Sequence, residues 1–472
     1  MKKHLITYTL LLGAAAAFAQ QPKADTTKMT MPDHKVMDHN MHKNMPGIVM
    51  KKDTMPHQMA MSMSSQYSPD LPMNRDGSGT SWVPDDSPMY AYMIHGKKWM
   101  TMIHGNLFAR YNVQDMFKAG SRGGHHFDAP NMLMGMSQRK VGKNGLFGVN
   151  AMLSLDPFLV GNGGYPLLYQ TGESYQGQKL VDRQHPHDLF AELSVSYAQH
   201  LAKDADAYVS FGYPGEPALG PPVFMHRLSA MNNPDAPLEH HYADATHITF
   251  GVSTLGFRYR DIKLEGSVFT GREPDEHRYD FDPVKLDSYS LRLSYNPSRE
   301  WALQVSNGWI HSPEDLEPQQ NIDRFTASAM HTKMLSADSY VATTFVYGQN
   351  HYSDNGKTLP SALLESTLQL SKTAIYGRYE FVRKDAEEFD LHTLYPTNPN
   401  FNINALTLGL SRILSTFKNT DVRGGIQGTL NFSPAPLQTL YGTAPVGFDV
   451  YLRISPALMK MGHKAKAKMM EM

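Results

Sequence analysis

Residues 286–311 read LDSYSLRLSYNPSREWALQVSNGWIH. In an extended chain successive side chains point to opposite faces, so Tyr289, Leu291, Leu293 and Tyr295 share one side and Ser288, Ser290, Arg292 and Ser294 the other. The alternation resumes after Pro297–Arg299, with Trp301 and Trp309 on one face of the next segment. Eight residues rise about 27 Å along a strand, and a tilt of ~40° projects that to roughly 21 Å. This is close to the ~25 Å apolar band that separates the aromatic girdles of a membrane barrel.

The same division recurs outward from this hairpin. Val422, Ile426, Leu430 and Phe432 oppose Arg423, Gln427, Thr429 and Asn431, and Phe448, Val450, Leu452 and Ile454 oppose Asp449, Tyr451, Arg453 and Ser455. Charges such as Lys263, Glu265, Arg378 and Glu380 fall on the polar face. About sixteen such segments run from 99–114 to 447–456, joined by short turns such as Gly142–Asn144 in alternation with long loops at 157–187, 214–246, 272–285 and 384–400. Short turns on one side and long loops on the other predict an all-β fold, a transmembrane antiparallel β-barrel over residues 89–456. A soluble sandwich alternates too, with its apolar face hidden instead of facing lipid. A barrel of this size encloses water unless loops plug it. The Gly- and Pro-rich run Tyr213–Pro222 either folds inward as a constriction or caps the exterior.

The ends fit export. Residues 1–19 carry Lys2 and Lys3, an apolar run to Phe18 and an Ala17-Phe18-Ala19 site, which reads as a signal peptide. The chain has no cysteine, which removes disulfides, thiolate ligands and a lipid anchor at once. No later run of some eighteen apolar residues predicts a membrane helix. A formal charge of -1 gives no footprint for nucleic acid. Outer-membrane lipid and metal ions are the expected partners, with periplasmic copper-handling proteins as further candidates.

Residues 20–88 read as a disordered Met/His-rich periplasmic arm and tether, because they hold too little apolar surface to offset ordering entropy. What the arm offers is donors. Met29, Met31, Met37, Met41, Met45, Met55, Met59, Met61 and Met63 supply thioethers suited to Cu(I), and His34, His39, His42 and His57 supply imidazoles that also suit Cu(II). Within it, Met37, Met41 and Met45, and again Met55, Met59 and Met63, are spaced by four, so each triplet would line one face of a helix. A polar linker with methionine as flexible filler is the plainer reading. A Met/Lys-rich tail at 457–472, with five methionines and His463, is expected in the same compartment.

Histidines also gather in the predicted outer loops. In Gln184-His185-Pro186-His187-Asp188 the proline biases His185 toward extended geometry, so His185 and His187 can face one ion, with Asp182 or Asp188 behind them. Alternatively these histidines only bond the loops to the lumen wall. His240, His241 and His247 with Glu239 or Asp244 could hold zinc and a water, but no spacing fixes such a site. HExxH, GxSxG and phosphate-loop signatures are all absent from the chain, so no enzymatic activity is expected. Arg272–Arg278 reads as a solvated or ion-paired loop.

The order of parts resembles that of outer-membrane copper-resistance B proteins, through Met31-Pro32-Asp33-His34 and Met37-Asp38-His39-Asn40-Met41-His42. Ser81–Met89, Tyr165–Glu173, His185–Asp188 and Gly271–Glu276 are similar to blocks of a family of outer-membrane proteins without an assigned activity, which implies a barrel and no chemistry. The combined expectation is a barrel that binds, exports or confers resistance to copper, with copper ion as its ligand. The rivals are a general or substrate-specific porin whose arm is a tether, and a loop-borne metal enzyme.

Overall fold

In the computed structural model, which describes residues 64–459, the alternation becomes a closed antiparallel barrel of sixteen strands. They are β1 (Met100–Gln114), β2 (Gly124–Asp128 and Asn131–Val141), β3 (Gly145–Leu153), β4 (Phe190–Ala202), β5 (Ala205–Gly212), β6 (Val252–Tyr259), β7 (Ile262–Phe269) and β8 (Ser288–Ser298). The second half comprises β9 (Trp301–His311), β10 (Asn321–Met334), β11 (Tyr340–Tyr352), β12 (Thr358–Leu370), β13 (Thr373–Asp385), β14 (Asn400–Phe417), β15 (Thr420–Phe432) and β16 (Val446–Pro456). Each strand pairs with the next, and β16 closes on β1 through Phe448↔Val113 to Ile454↔Leu107. Both pieces of β2 lie on the same side of β1, and the break falls at Ala129-Pro130, where proline has no N–H to give the ladder.

Which face meets lipid is settled by burial. Along β8 the exposed residues are Tyr289, Leu291, Leu293 and Tyr295, while Ser290, Arg292 and Ser294 are buried. Lys263, Glu265, Arg378 and Glu380 also point inward and are buried. A soluble sandwich has the opposite arrangement. On the exterior Tyr289 stacks on Trp309 at 5.8 Å near the long-loop end, and Trp301 stands near the short-turn end. An apolar outer wall, a closed ladder without edges and a charged interior make this chain an outer-membrane β-barrel.

The interior is filled. Residues 64–88, expected to continue the tether, instead fold inside the barrel near the short-turn end. The reason lies in the wall: a polar, proline-rich segment that cannot form a core alone finds charged partners on the inner face. Gln66 donates to Ser196 Oγ at 2.9 Å, Arg292 to Thr80 Oγ1 at 2.8 Å and Asn296 to the Val83 carbonyl at 3.0 Å. Trp82 is buried with the Lys263 ammonium 4.8 Å from its ring centre. Arg75 and Asp85 tie the segment to itself at 2.5 Å.

The loop between β5 and β6 folds inward and is almost wholly buried. The Ala218 and Gly220 amides donate to Ser267 and Ser306 at 2.8 and 2.9 Å, Arg227 reaches Glu365 at 2.8 Å, and the Leu238 amide reaches Glu380 at 2.6 Å. These contacts touch β7, β9, β12 and β13, so the loop spans the lumen. Above it Leu168, Tyr169, Phe389 and Tyr441 form a buried apolar cluster among the long loops. The candidate ligands Met29 to Met63, the signal peptide and most of the C-terminal tail lie outside the described residues.

Candidate metal centre

Two inward-folded loops bring five imidazoles together inside the barrel. The loop after β3 supplies His185 and His187, and the loop after β5 supplies His240, His241 and His247. Two one-turn helices set the frame: α1 (Asp156–Leu159) and α2 (His240–Ala243). Ring centres lie 5.4 Å apart for His185 and His241, 5.1 Å for His240 and His241, 5.1 Å for His240 and His247, and 5.3 Å for His187 and His247. The close approach requires Gly172: at its φ of +122°, a Cβ would sit 2.5 Å from the His241 ring.

The two nitrogens of these rings have different fates. On the Nδ1 side, His185 meets Glu173 at 2.9 Å, His187 meets Asp156 at 2.8 Å, His240 meets Asp244 at 2.5 Å and His247 meets the Asp244 carbonyl at 3.0 Å. His241 Nδ1 stands 3.7 Å from Glu273. An ionised carboxylate or a carbonyl only accepts, so on His185, His187, His240 and His247 the ring proton sits on Nδ1 and the Nε2 lone pair is left free. All five Nε2 atoms are buried and meet no hydrogen-bond partner. Five orphaned ring nitrogens in one place run against the rule that buried polar atoms are paired.

His185, His240 and His241 each offer a ring nitrogen within 4.8 Å of the others. Three nitrogens bound at ~2.0–2.1 Å in a tetrahedral site stand about 3.3 Å apart, so small side-chain rotations would close them on one ion. His247 and His187 flank the triplet as further donors. Second-layer carboxylates that hold ligating imidazoles by Nδ1 are the usual support of a metal site.

Burial disfavours the charged form of three of the rings. Burial pushes His240 down and His241 and His247 well down, with neighbouring imidazoles adding to the effect. Burial raises Glu173, but Arg278 and His185 outweigh it and hold the carboxyl at about 2. Asp244 is likewise driven up by burial and pulled below its usual range by His240 and Arg227. Burial lifts Asp188 to about 7 and Glu273 to about 7.

Of the residues marked in the sequence, His185 and His187 both belong to the cluster, although His187 sits beside His247 and outside the tightest triplet. Asp182 and Asp188 are not their supports. Asp182 accepts from the Tyr169 amide at 2.7 Å and the Tyr441 hydroxyl at 3.0 Å, and Asp188 faces Arg278 at 3.5 Å. Glu173 and Asp156 take that place, and neither spacing nor residue type singled them out. Of the loop expected to be solvated or ion-paired, Glu273 and Arg278 are buried beside the cluster, and Arg278 is ion-paired with Glu173. His125 and His277 lie on the surface, away from the five.

No family model and no curated protein matches this sequence. Among solved structures the chain is similar to Salmonella typhi OmpF, at 8% identity and a TM-score of 0.48 over 77% of this chain and 100% of that one. It is also similar to an anion-selective porin from Comamonas acidovorans (10%, 0.42, 76% and 100%) and to the outer-membrane channel DcaP of Acinetobacter baumannii (9%, 0.42, 77% and 99%).

Proposed function

We propose that this protein is an outer-membrane barrel that binds a transition-metal ion inside its lumen, with copper the expected ion. The arm donors from Met29 to Met63 would capture it in the periplasm. The observation that supports the reading is the set of five buried, unpartnered Nε2 atoms whose Nδ1 sides face carboxylates or a carbonyl. Neutral imidazole suits Cu(II) and Zn(II). A lumen filled by residues 64–88 and by the loop after β5 favours retention of the ion over free passage, so the role is binding and sequestration, without a catalytic step. The test is the metal content of full-length protein purified from copper-supplemented cells. About one equivalent bound to the parent, and its loss in a His185→Phe, His240→Phe, His241→Phe variant, is expected once arm-bound metal has been stripped by a mild chelator. Equal retention in both proteins would remove the reading.

A second reading is a porin or substrate-specific channel, favoured by the sixteen-strand circumference, which in open barrels leaves an aqueous pore. It requires the inward loop to leave the lumen. Steady ohmic conductance of metal-free protein in planar bilayers would support it.

A further inference from the structure

Between residues 64–91 below and the inward loop above lies a second chamber of about 150 Å³. Its lining is unusual in kind. The barrel wall contributes Met102, Met132, Met136 and Met330. Met73 and Met89 come from the segment below, and Met225 and Met231 from the loop above. Three imidazoles line it: His331, and the pair His104 and His226, which meet edge to face with ring centres 5.3 Å apart. The His226 Nε2 is buried and has no hydrogen-bond partner.

Methionine in a core usually fills gaps, because its unbranched thioether adapts to irregular space. Here eight of them, drawn from three separate parts of the chain, border a space that stays open. A void of this size lined by aliphatic groups stays dry, but this one also holds an orphaned imidazole nitrogen and polarisable sulfurs. The charges near it are few and nearly balanced. Arg227 faces Glu365 at 2.8 Å and Asp244 at 3.1 Å, which leaves Arg453 as the cation on the lining. Opposite in sign is Asp76, which accepts from Ser65 Oγ at 2.6 Å and from the Gln66 amide at 2.8 Å. Such a chamber offers little to a hydrated divalent ion and much to a weakly hydrated soft one.

We infer that the methionine chamber is a second metal site, selective for a soft monovalent cation, Cu(I) or Ag(I), held by thioether sulfurs and the His226 Nε2. It differs in donor type from the histidine cluster and does not depend on that cluster being loaded. The two are nonetheless adjacent. A smaller cavity of about 40 Å³ shares Asn106, Met225 and Met231 with the chamber and is also lined by His185 and His187. Two thioether side chains and one amide thus border both spaces.

The experiment uses the full chain in detergent, loaded anaerobically with Ag(I) and crystallised, with silver located by anomalous diffraction. An anomalous peak bounded by Met102, Met136, Met225 and His226 is expected. It should lose most of its occupancy in a Met102→Leu, Met136→Leu, Met225→Leu variant, whose side chains keep their volume and which is checked for folding by heat-modifiable migration. The His185→Phe, His240→Phe, His241→Phe variant should keep the peak, and Zn(II) should give none in the chamber. Silver confined to the arm or the histidine cluster overturns the inference, as does a chamber peak that survives the leucine substitutions or disappears in the histidine variant.

Discussion

Glu173 shows how one side chain can decide what a histidine does. Its carboxylate faces His185 Nδ1 at 2.9 Å and is kept ionised by Arg278, so His185 presents Nε2 to the interior. Changing Glu173→Gln keeps the shape and removes the charge. If His185 ligates the ion, metal affinity should fall about 10- to 100-fold, the usual cost of losing such a support. Competition with a chromophoric chelator reads this directly, and an unchanged affinity would leave Glu173 only as the partner of Arg278. At this scale the sequence was half legible. His185-Pro186-His187 stood out because proline and an i, i+2 spacing carry local geometry. His240, His241 and His247 were visible as a group, but their meeting with His185 across more than fifty residues has no local signal. Asp244, four residues after His240, was the one supporting acid the sequence offered; Glu173 and Asp156 look like any other loop acids until the fold brings them to His185 and His187.

Secondary-structure elements divide into those dictated by their own pattern and those dictated by a surface supplied elsewhere. The strands belong to the first kind. Period-two alternation placed β8 at 286–297 and β9 at 300–311, against Ser288–Ser298 and Trp301–His311 in the structure, because each residue's face is fixed by its neighbours. Residues 64–88 belong to the second kind. Their partners are Ser196, Lys263, Arg292 and Asn296 on the inner wall, so a reading of the segment alone finds only a polar tether. Residues 64–88 and the loop after β5, the two segments that fill the lumen below the long-loop cluster, make a specific prediction. Deleting residues 64–88 alone should leave single-channel conductance low, since the loop after β5 still spans the lumen. Removing residues 216–247 as well should give a porin-like conductance in planar bilayers. A large conductance from the first deletion alone would mean that the inward loop does not obstruct flow.

At the scale of the whole molecule, what separates this barrel from a soluble β-protein is the direction of its polarity, and the hairpin of β8 and β9 makes that testable. Leu293 is 43% exposed in the middle of β8, opposite Val305 and so midway between Trp301 and Trp309, while its neighbour Arg292 is 1% exposed and bonded to Glu265 at 3.0 Å. In a soluble fold an arginine at position 293 would simply be solvated, with an effect within about ±0.5 kcal/mol for a surface change. In lipid the same Leu293→Arg substitution puts a charge near the bilayer midplane at a cost of about 2–4 kcal/mol. The cost should depend on depth. Tyr289→Arg lies at the long-loop girdle, opposite Trp309, and its charge should cost about 0–1 kcal/mol, because the guanidinium reaches the interface. Reversible folding into lipid vesicles, titrated with denaturant, measures both. The expected order is Leu293→Arg well below Tyr289→Arg, and Tyr289→Arg near the parent. Equal stabilities would mean that the apolar exterior does not face hydrocarbon. A gradient would fix the hydrocarbon midplane near Leu293 and, with it, which of the lumen's two clusters lies within the bilayer.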